Sequence, residues 1–401
     1  MFESIEAAPP DAILGISEAY RRDERATKIN LAVGVYKNAD GQTPVLDAVK
    51  AAERRMLERQ TTKSYLPIDG PPAYGSAVRR LLFGAGHALA DSTRARTAAS
   101  PGGTGALRVA ADSLQANHPG AAVWLTTPTW ANHPQIFAAA GVETKTYAWL
   151  DATGFALDFD AVLADLAKVP AGDVVLLHGC CHNPTGVDPT AAQWRAIAEA
   201  LAGRGVLPLL DFAYQGFGGG LTDDAAGLRA IAGACDELLV CSSYSKNFGL
   251  YNERVGALTV VAGSDNAAAA VMSRVKQSIR RNFSNPPAHG VGIVQTILDD
   301  AELSAQWEAE LAAMRERIHA MRGALKSGLD ERDVSLSPDG NAFITTQSGM
   351  FTMSGLDRGQ VTRLADEFGI YVVGDGRINV AGITPGNVGT LCDSIAAVTS
   401  N

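Results

Sequence analysis

The sequence predicts an α/β protein: a large domain with a mostly parallel central sheet flanked by helices, joined to a smaller α+β domain. Three observations predict it. Between about residues 94 and 261, short apolar strand-like runs alternate with helical stretches, the pattern of a parallel sheet covered on both faces. A long helical pattern rich in Ala, Met, Glu and Arg spans 301–329 and sets that region apart from a shorter mixture of strand and helix signals. With 401 residues, the chain is also longer than one ordinary core serves.

Taken in order, residues 1–14, with Pro9-Pro10, read as an extended arm that needs a surface to lie on, such as a second subunit. A helix is expected over 15–25 and a strand over 29–36, interrupted by Gly34; a glycine inside a strand marks close approach by a ligand or backbone. A helix over 47–59 leads to Tyr65 in a loop and to the turn Asp69-Gly70-Pro71-Pro72. Strands are expected at 94–99, 122–126, 142–148, 174–178, 207–210 and 238–241, with helices between them such as 105–117, 191–204 and 227–232. The run 254–261 adds a strand expected to be antiparallel, because so short a connection precedes it. Beyond the long helix, strands are expected at 342–346, 350–352, 370–373 and 377–380, and a closing helix from 387. The large domain is placed at 45–313, and the small one is assembled from 15–44 and 314–401.

Composition narrows the function. A hydrophobic content of 46% with 19% charged residues suits a compact folded chain, not a disordered one. A net charge of −9 and a pI near 5.3 argue against a nucleic-acid surface, which needs a basic face. The N-terminus, Met1-Phe2-Glu3-Ser4-Ile5-Glu6, is acidic and lacks the apolar core of a signal peptide. No apolar run approaches a membrane span. Five cysteines, two of them adjacent at Cys180 and Cys181, fit free thiols in a reducing cytoplasm better than a disulfide framework. His178 and His182 have the spacing of a helical pair, but Asn183-Pro184 and Gly186 place them in a loop, so no metal is expected.

The chemistry concentrates where strands end, the usual place for it in α/β proteins. The octet Ser242-Ser243-Tyr244-Ser245-Lys246-Asn247-Phe248-Gly249 follows an apolar run, with Arg254 a short step beyond. Its amine could form a Schiff base with an aldehyde while Ser243, Ser245 and Arg254 hold a phosphate. Alone, the octet reads equally well as a surface loop. Pro101-Gly102-Gly103-Thr104-Gly105 follows a strand and opens a helix whose free N–H groups can bind an anion, though glycines also serve tight turns. Asn183 precedes Pro184 and is held extended, with its amide able to face a cleft. Asp211 ends the next strand, with Tyr214 one helical step on; it reads either as a helix cap or as the partner of a protonated ring nitrogen. Trp130 follows another strand, where its flat face suits core packing or an aromatic ligand. For His133 the commoner reading is a satisfied structural histidine, the sharper one a partner of Asp211. Arg280 and Arg377 read as surface residues or as two forks for a substrate with two carboxylates.

Gly102-Gly103-Thr104-Gly105, His182-Asn183-Pro184-Thr185-Gly186, Asp211-Phe212-Ala213-Tyr214-Gln215-Gly216-Phe217, the octet, and Gly376-Arg377-Ile378-Asn379-Val380-Ala381-Gly382 together closely resemble the aspartate and aromatic aminotransferases, from Met1 to the last helix. The resemblance implies fold type I of the pyridoxal 5'-phosphate enzymes. It implies Lys246 as the covalent cofactor anchor and base, Asp211 against the pyridinium nitrogen, Tyr214 and Asn183 on the ring oxygen, and Trp130 stacked on the ring. Gly103, Thr104, Ser243, Ser245 and Arg254 would hold the phosphate, with Tyr65 reaching in from a neighbouring subunit. Gly34, Trp130, Asn183 and Arg377 would contact the substrate, Arg377 through its α-carboxylate. Arg280 of the neighbour would take the distal carboxylate, so that a homodimer shares its sites.

The substrates implied are a small amino acid and a 2-oxo acid. Arg280, Val35-Tyr36-Lys37, Thr43-Pro44-Val45-Leu46, Thr104 and Asn285 resemble the aspartate branch, pointing to aspartate and 2-oxoglutarate. Ser64 and Arg281-Asn282 leave room for tyrosine and phenylalanine, which would require Arg280 to swing away. Decarboxylases and lyases of the same fold need not keep both arginines. A pyridoxal-phosphate-binding sensor domain would call for an attached DNA-binding domain.

Overall fold

The computed structural model describes residues 2–7 and 14–400. Most of the expected N-terminal arm lies outside the described residues; within them, Phe2–Ser4 form a single 3₁₀ turn. The chain divides into two compact units, one of residues Pro44–Glu316 and one of Met1–Thr43 with Arg317–Asn401. In chain order the strands among the described residues are β1 (Ile29–Asn30), β2 (Ala95–Pro101), β3 (Val123–Thr127), β4 (Thr144–Ala148), β5 (Val174–His178), β6 (Leu207–Phe212), β7 (Leu238–Ser243), β8 (Val255–Val261), β9 (Phe351–Met353), β10 (Ile370–Tyr371) and β11 (Arg377–Asn379).

The larger unit is built on a seven-stranded sheet of order β2-β8-β7-β6-β5-β3-β4. Only β8 runs against its neighbours, pairing antiparallel with both β2 and β7, as the short connection before it predicts. Every residue of β5, β7 and β8 is buried, which is why these strands read as continuous apolar runs and not as alternating ones. The helix Gly102–Asn117 lays Ala106, Leu107, Ala110 and Leu114 on the sheet, where they join Leu125, Leu176, Leu258 and Met272 in one core. Each such leucine contributes on the order of 1.5–3 kcal/mol by leaving water. Local chemistry fixes helix starts: Thr190 and Gln193 close a capping box, and Ser264 accepts from the backbone of Ala267. The helix Gly102–Asn117 instead starts at Pro101 with no side-chain cap. Its first N–H groups therefore have no side-chain acceptor there.

In the smaller unit β1 pairs parallel with β10, and β9 pairs antiparallel with β11. Helices Arg358–Phe368 and Val388–Thr399 belong to it, the first held by an Asp357–Gln360 capping box and a left-handed Gly369. The helix Ala301–Asp330 begins in one unit and ends in the other. Two expected strands are corrected here. Beyond Asn30 the segment leaves the ladder, because the Asn379 side chain, not a strand, donates to the carbonyls of Val33 (2.7 Å) and Val35 (2.8 Å). Residues Phe343–Thr346 form a helical turn and no strand, with the Ile344 carbonyl taken by the buried guanidinium of Arg322 at 2.8 Å. Among the described residues no helix is long and apolar enough to cross a membrane.

Candidate active site

At the C-terminal ends of β2, β3, β5, β6 and β7, the chain leaves the sheet around a cavity of about 190 Å³. Asp211, one residue short of the end of β6, is nearly fully buried, and its Oδ2 lies 2.9 Å from Nε2 of His133, itself completely buried. Burial alone would raise the Asp211 pKa. The His133 hydrogen bond and the nearby Lys246 ammonium outweigh that, so the carboxylate is held below its ordinary range and stays ionised. An ionised acceptor fixes Nε2 of His133 as the donor. Thr129 Oγ1 then meets His133 Nδ1 at 2.8 Å and His178 Nε2 at 3.1 Å, tying β3's exit loop to the end of β5. Burial first, and the neighbouring His133 second, push the His178 pKa down to about 3, so its ring is neutral.

Lys246, three residues past β7, also lines the cavity, its Nζ 4.7 Å from the centre of the Tyr214 ring. Asn183 Nδ2 reaches the Tyr214 hydroxyl at 3.4 Å. Trp130 meets the edge of His133 with ring centres 5.2 Å apart. Around Ser243 an oxyanion cradle forms from several elements. Ser243 Oγ donates to Ser245 Oγ at 3.3 Å, and Arg254 Nη1 donates to Ser245 Oγ at 3.3 Å and to the Tyr251 carbonyl at 3.0 Å. Gly103 and Thr104, in the first turn of the uncapped helix, line the same cavity. Close packing explains the glycines. Gly102 has φ of +73°, and a Cβ there would sit 2.6 Å from Arg254 Nη2, while a Cβ on Gly103 would sit 3.0 Å from Ser243 Cβ. Arg254 itself adopts a left-handed φ of 51°, a conformation non-glycine residues rarely take.

The cavity thus gathers Gly103, Thr104, Trp130, Asn183, Asp211, Tyr214, Ser243, Ser245, Lys246 and Arg254 from among the residues singled out by sequence. Tyr65 is 93% exposed and does not line it. Arg280, in the last turn of the helix Asp265–Asn282, is exposed, donates to the Ser284 hydroxyl, and has no ion-paired carboxylate among the described residues. Gly34 and Arg377 belong to the smaller unit, where Arg377 is buried, donates to the Ala32 carbonyl at 2.8 Å and lies 4.3 Å from the Phe351 ring centre.

Sequence reasoning missed His178 and Tyr251 as cavity residues. His178 carried a usable signal, since it closes β5 as Asp211 nearly closes β6. Cys180, Cys181 and Asp224 also bring donor atoms within 4.8 Å of one another. The Asp224 oxygens, however, already accept from the backbone of Gly216 (2.7 Å), Gly218 (3.0 Å) and Gly219 (2.7 Å), so this carboxylate anchors a loop. A larger cavity of about 530 Å³ between helices Gly102–Asn117 and Asp265–Asn282 is lined mainly by apolar side chains such as Leu114, Leu239 and Val260 and lacks the lysine and aspartate.

An amine, an ionised carboxylate backed by a histidine, and a cradle of hydroxyls, arginine and helix N–H groups, all at the ends of a mostly parallel sheet, define a fold type I enzyme of the pyridoxal 5'-phosphate class. The donor set fits the chemistry of that cofactor: cation and N–H donors suit a phosphate, an amine such as Lys246 suits an aldehyde, and an ionised carboxylate such as Asp211 suits a protonated ring nitrogen. The chain belongs to the aminotransferase class I and II family, whose model matches residues 26–395. It is 54% identical to the aspartate aminotransferase of Salmonella typhi over 398 residues, covering 99% of this chain and all of that one. It is 44% identical to the tyrosine aminotransferase of Klebsiella pneumoniae over 399 residues, with 99% and 100% coverage. Among solved structures, the aromatic-amino-acid aminotransferase of Burkholderia pseudomallei covalently bound to pyridoxal phosphate superposes with a TM-score of 0.95 at 46% identity, over 99% of both chains.

Proposed function

We propose that this aminotransferase moves the amino group of L-aspartate to 2-oxoglutarate by a ping-pong mechanism, yielding oxaloacetate and glutamate. The observation that carries the dicarboxylate reading is Arg280, exposed at a helix end with no ion-paired carboxylate among the described residues. Such a guanidinium suits a distal carboxylate presented in a neighbouring subunit's site. The names of relatives at 52–54% identity support the same choice over the aromatic relatives at 44–46%.

When bound, pyridoxal phosphate supplies an electron sink for charge developing at the substrate α-carbon and carries the amino group between the two half-reactions. Asp211, kept ionised by His133, would hold the ring nitrogen protonated. Tyr214 and Asn183, which already meet through a hydrogen bond, would orient the ring oxygen. The cradle of Gly103, Thr104, Ser243, Ser245 and Arg254 would hold the phosphate, and Trp130 would lie against the ring. Lys246 Nζ takes the proton from the substrate α-carbon, the step for which a positioned amine contributes about 10²–10⁴-fold. Arg377 grips the α-carboxylate, with Gly34 beside the substrate.

The working form is a homodimer in which Tyr65 reaches the partner's phosphate site and Arg280 the partner's substrate. The extreme exposure of Tyr65, uncommon for a tyrosine, supports that reading. Free, buried cysteines fit action in a reducing cytoplasm. A second reading, tyrosine or phenylalanine as amino donor, is favoured by Ser64, Arg281-Asn282 and the exposure of Arg280, whose side chain has room to turn away. Comparing kcat/KM for aspartate, phenylalanine and tyrosine with 2-oxoglutarate decides between them. Aspartate should lead by at least about tenfold, and equal values would establish a dual-specificity enzyme instead.

A further inference from the structure

We propose that Arg322 is a positioning residue for the carboxylate fork of Arg377, acting through the backbone and ring of Phe351. The inference rests on the reading of Arg377 as the α-carboxylate ligand. Arg322 is 1% exposed, on the helix Ala301–Asp330, inside the smaller unit. Its guanidinium donates to the carbonyls of Ile344 (2.8 Å), Ser348 (3.2 Å), Gly349 (2.9 Å) and Phe351 (2.5 Å), and Nε donates again to Gly349 at 3.3 Å. One planar cation therefore draws together the end of a helical turn, the following bend and the first residue of β9. That segment has little regular hydrogen bonding of its own, because β9 spans only three residues.

Phe351 passes the constraint on. Its backbone pairs with Asn379 in the antiparallel ladder that places Arg377 opposite Met353. Its ring lies 4.3 Å from the Arg377 guanidinium carbon, a cation–π contact that supports one face of the fork. The ring's far edge packs on Gly34 so closely that a Cβ there would fall 2.7 Å from Phe351 Cζ. The Arg377 Nη2 bond to the Ala32 carbonyl, at 2.8 Å, pins the fork from the other chain segment. Rotation of Phe351 would withdraw the cation–π support from one face of the Arg377 fork, and a bidentate carboxylate contact tolerates tilt poorly. The carbonyl cluster around Arg322 is what sets the position of Phe351 along this strand.

The test uses the cofactor-loaded enzyme and four variants: Arg322→Gln, Arg322→Lys, Phe351→Leu and, as control, Arg377→Ala. Arg322→Gln should raise KM for both aspartate and 2-oxoglutarate by about tenfold while kcat stays within about threefold and the visible spectrum of the bound cofactor is unchanged. Arg322→Lys should recover part of the loss, and Phe351→Leu should raise KM in the same direction. If Arg322→Gln does not fold, Phe351→Leu decides. Unchanged KM in Arg322→Gln or in Phe351→Leu, alongside a raised KM in Arg377→Ala, overturns the positioning role alone. A disturbed cofactor spectrum or a kcat loss without a KM rise also overturns it, because general damage would then explain the effect. An unchanged KM in Arg377→Ala overturns the parent reading and this inference with it.

Discussion

His133 Nε2 lies 2.9 Å from Asp211 Oδ2, with both groups shielded from bulk water. A carboxylate in so dry a place would take up a proton if left alone; here the imidazole donor and Lys246 hold it ionised. Under the proposed function, the electron-sink chemistry depends on that negative charge. Asparagine in place of His133 removes a hydrogen bond to a charged group, worth about 1.5–3 kcal/mol. We expect kcat for aspartate to fall roughly 10- to 150-fold, since each 1.4 kcal/mol of barrier is about tenfold in rate. A steady-state assay checks this, and an unchanged kcat would show that Asp211 needs no help to stay charged.

The same burial makes the fold acid-sensitive. The folded-state pKa of His178 is pushed down to about 3, and that of His182 is also depressed, both by burial first. An unfolded histidine takes up its proton near pH 6.5. Stability from the neutral rings is therefore full above about pH 6.5 and is lost as pH falls below it, for His178 down to about 3, at up to about 1.4 kcal/mol per pH unit for each histidine. Urea midpoints at several pH values should fall across that window, and His178→Gln should flatten the slope. An identical slope in the variant would assign the acid sensitivity elsewhere.

Gly102 links backbone geometry to anion binding. Its φ of +73° costs alanine roughly 1–2 kcal/mol, and the new methyl would collide with Arg254 Nη2 at 2.6 Å. Gly102→Ala should weaken cofactor retention by about tenfold or more, because strain and displacement of Arg254 act together. Dialysis against phosphate followed by measurement of bound cofactor tests it. Retention equal to the parent would mean that the helix N–H groups and serines suffice.

Much of the central sheet was legible because its strands are buried on both faces and bounded by sharp turn signals. Val174–His178 was read to the residue, since an apolar run stops abruptly at Gly179-Cys180-Cys181. Residues 31–36 and 342–346 were misread for one reason: side chains distant in sequence, Asn379 and Arg322, take the carbonyls that a strand would have given to a neighbour. Local patterning carries no trace of such partners. The cavity residues were legible where they close strands, as Asp211 and Lys246 nearly do. For His133 the sequence offered both readings, partner of Asp211 and packed histidine, and ranked the second first, because a helix-start histidine reads the same whether it faces a carboxylate or only packs. Only the fold brings β3's exit loop against the end of β6.

Arg280 carries the specificity prediction. A carboxylate left without its guanidinium partner in a closed site costs about 3–5 kcal/mol, so Arg280→Ala should lower kcat/KM for aspartate roughly 10²- to several 10³-fold. For phenylalanine the same change should matter little, since that substrate has no distal charge to hold. Parallel assays of both substrates settle the assignment, and equal losses would move the distal-carboxylate role to another residue.

If Arg280 serves the neighbouring subunit, the two defects Lys246→Ala and Arg280→Ala should complement each other in a mixed dimer. A hybrid of one protomer of each kind places the intact Lys246 of the second with the intact Arg280 of the first in one site, and gathers both defects in the other. Random reassortment of equal amounts makes about half of the dimers hybrid, each with one sound site, so activity should return to about a quarter of the parent level. Each variant alone should remain nearly inactive on aspartate. Refolding the two variants together, then assaying against each refolded separately, gives the answer. No recovery in the mixture would place Arg280 and Lys246 of the same chain in one site and remove the case for shared sites.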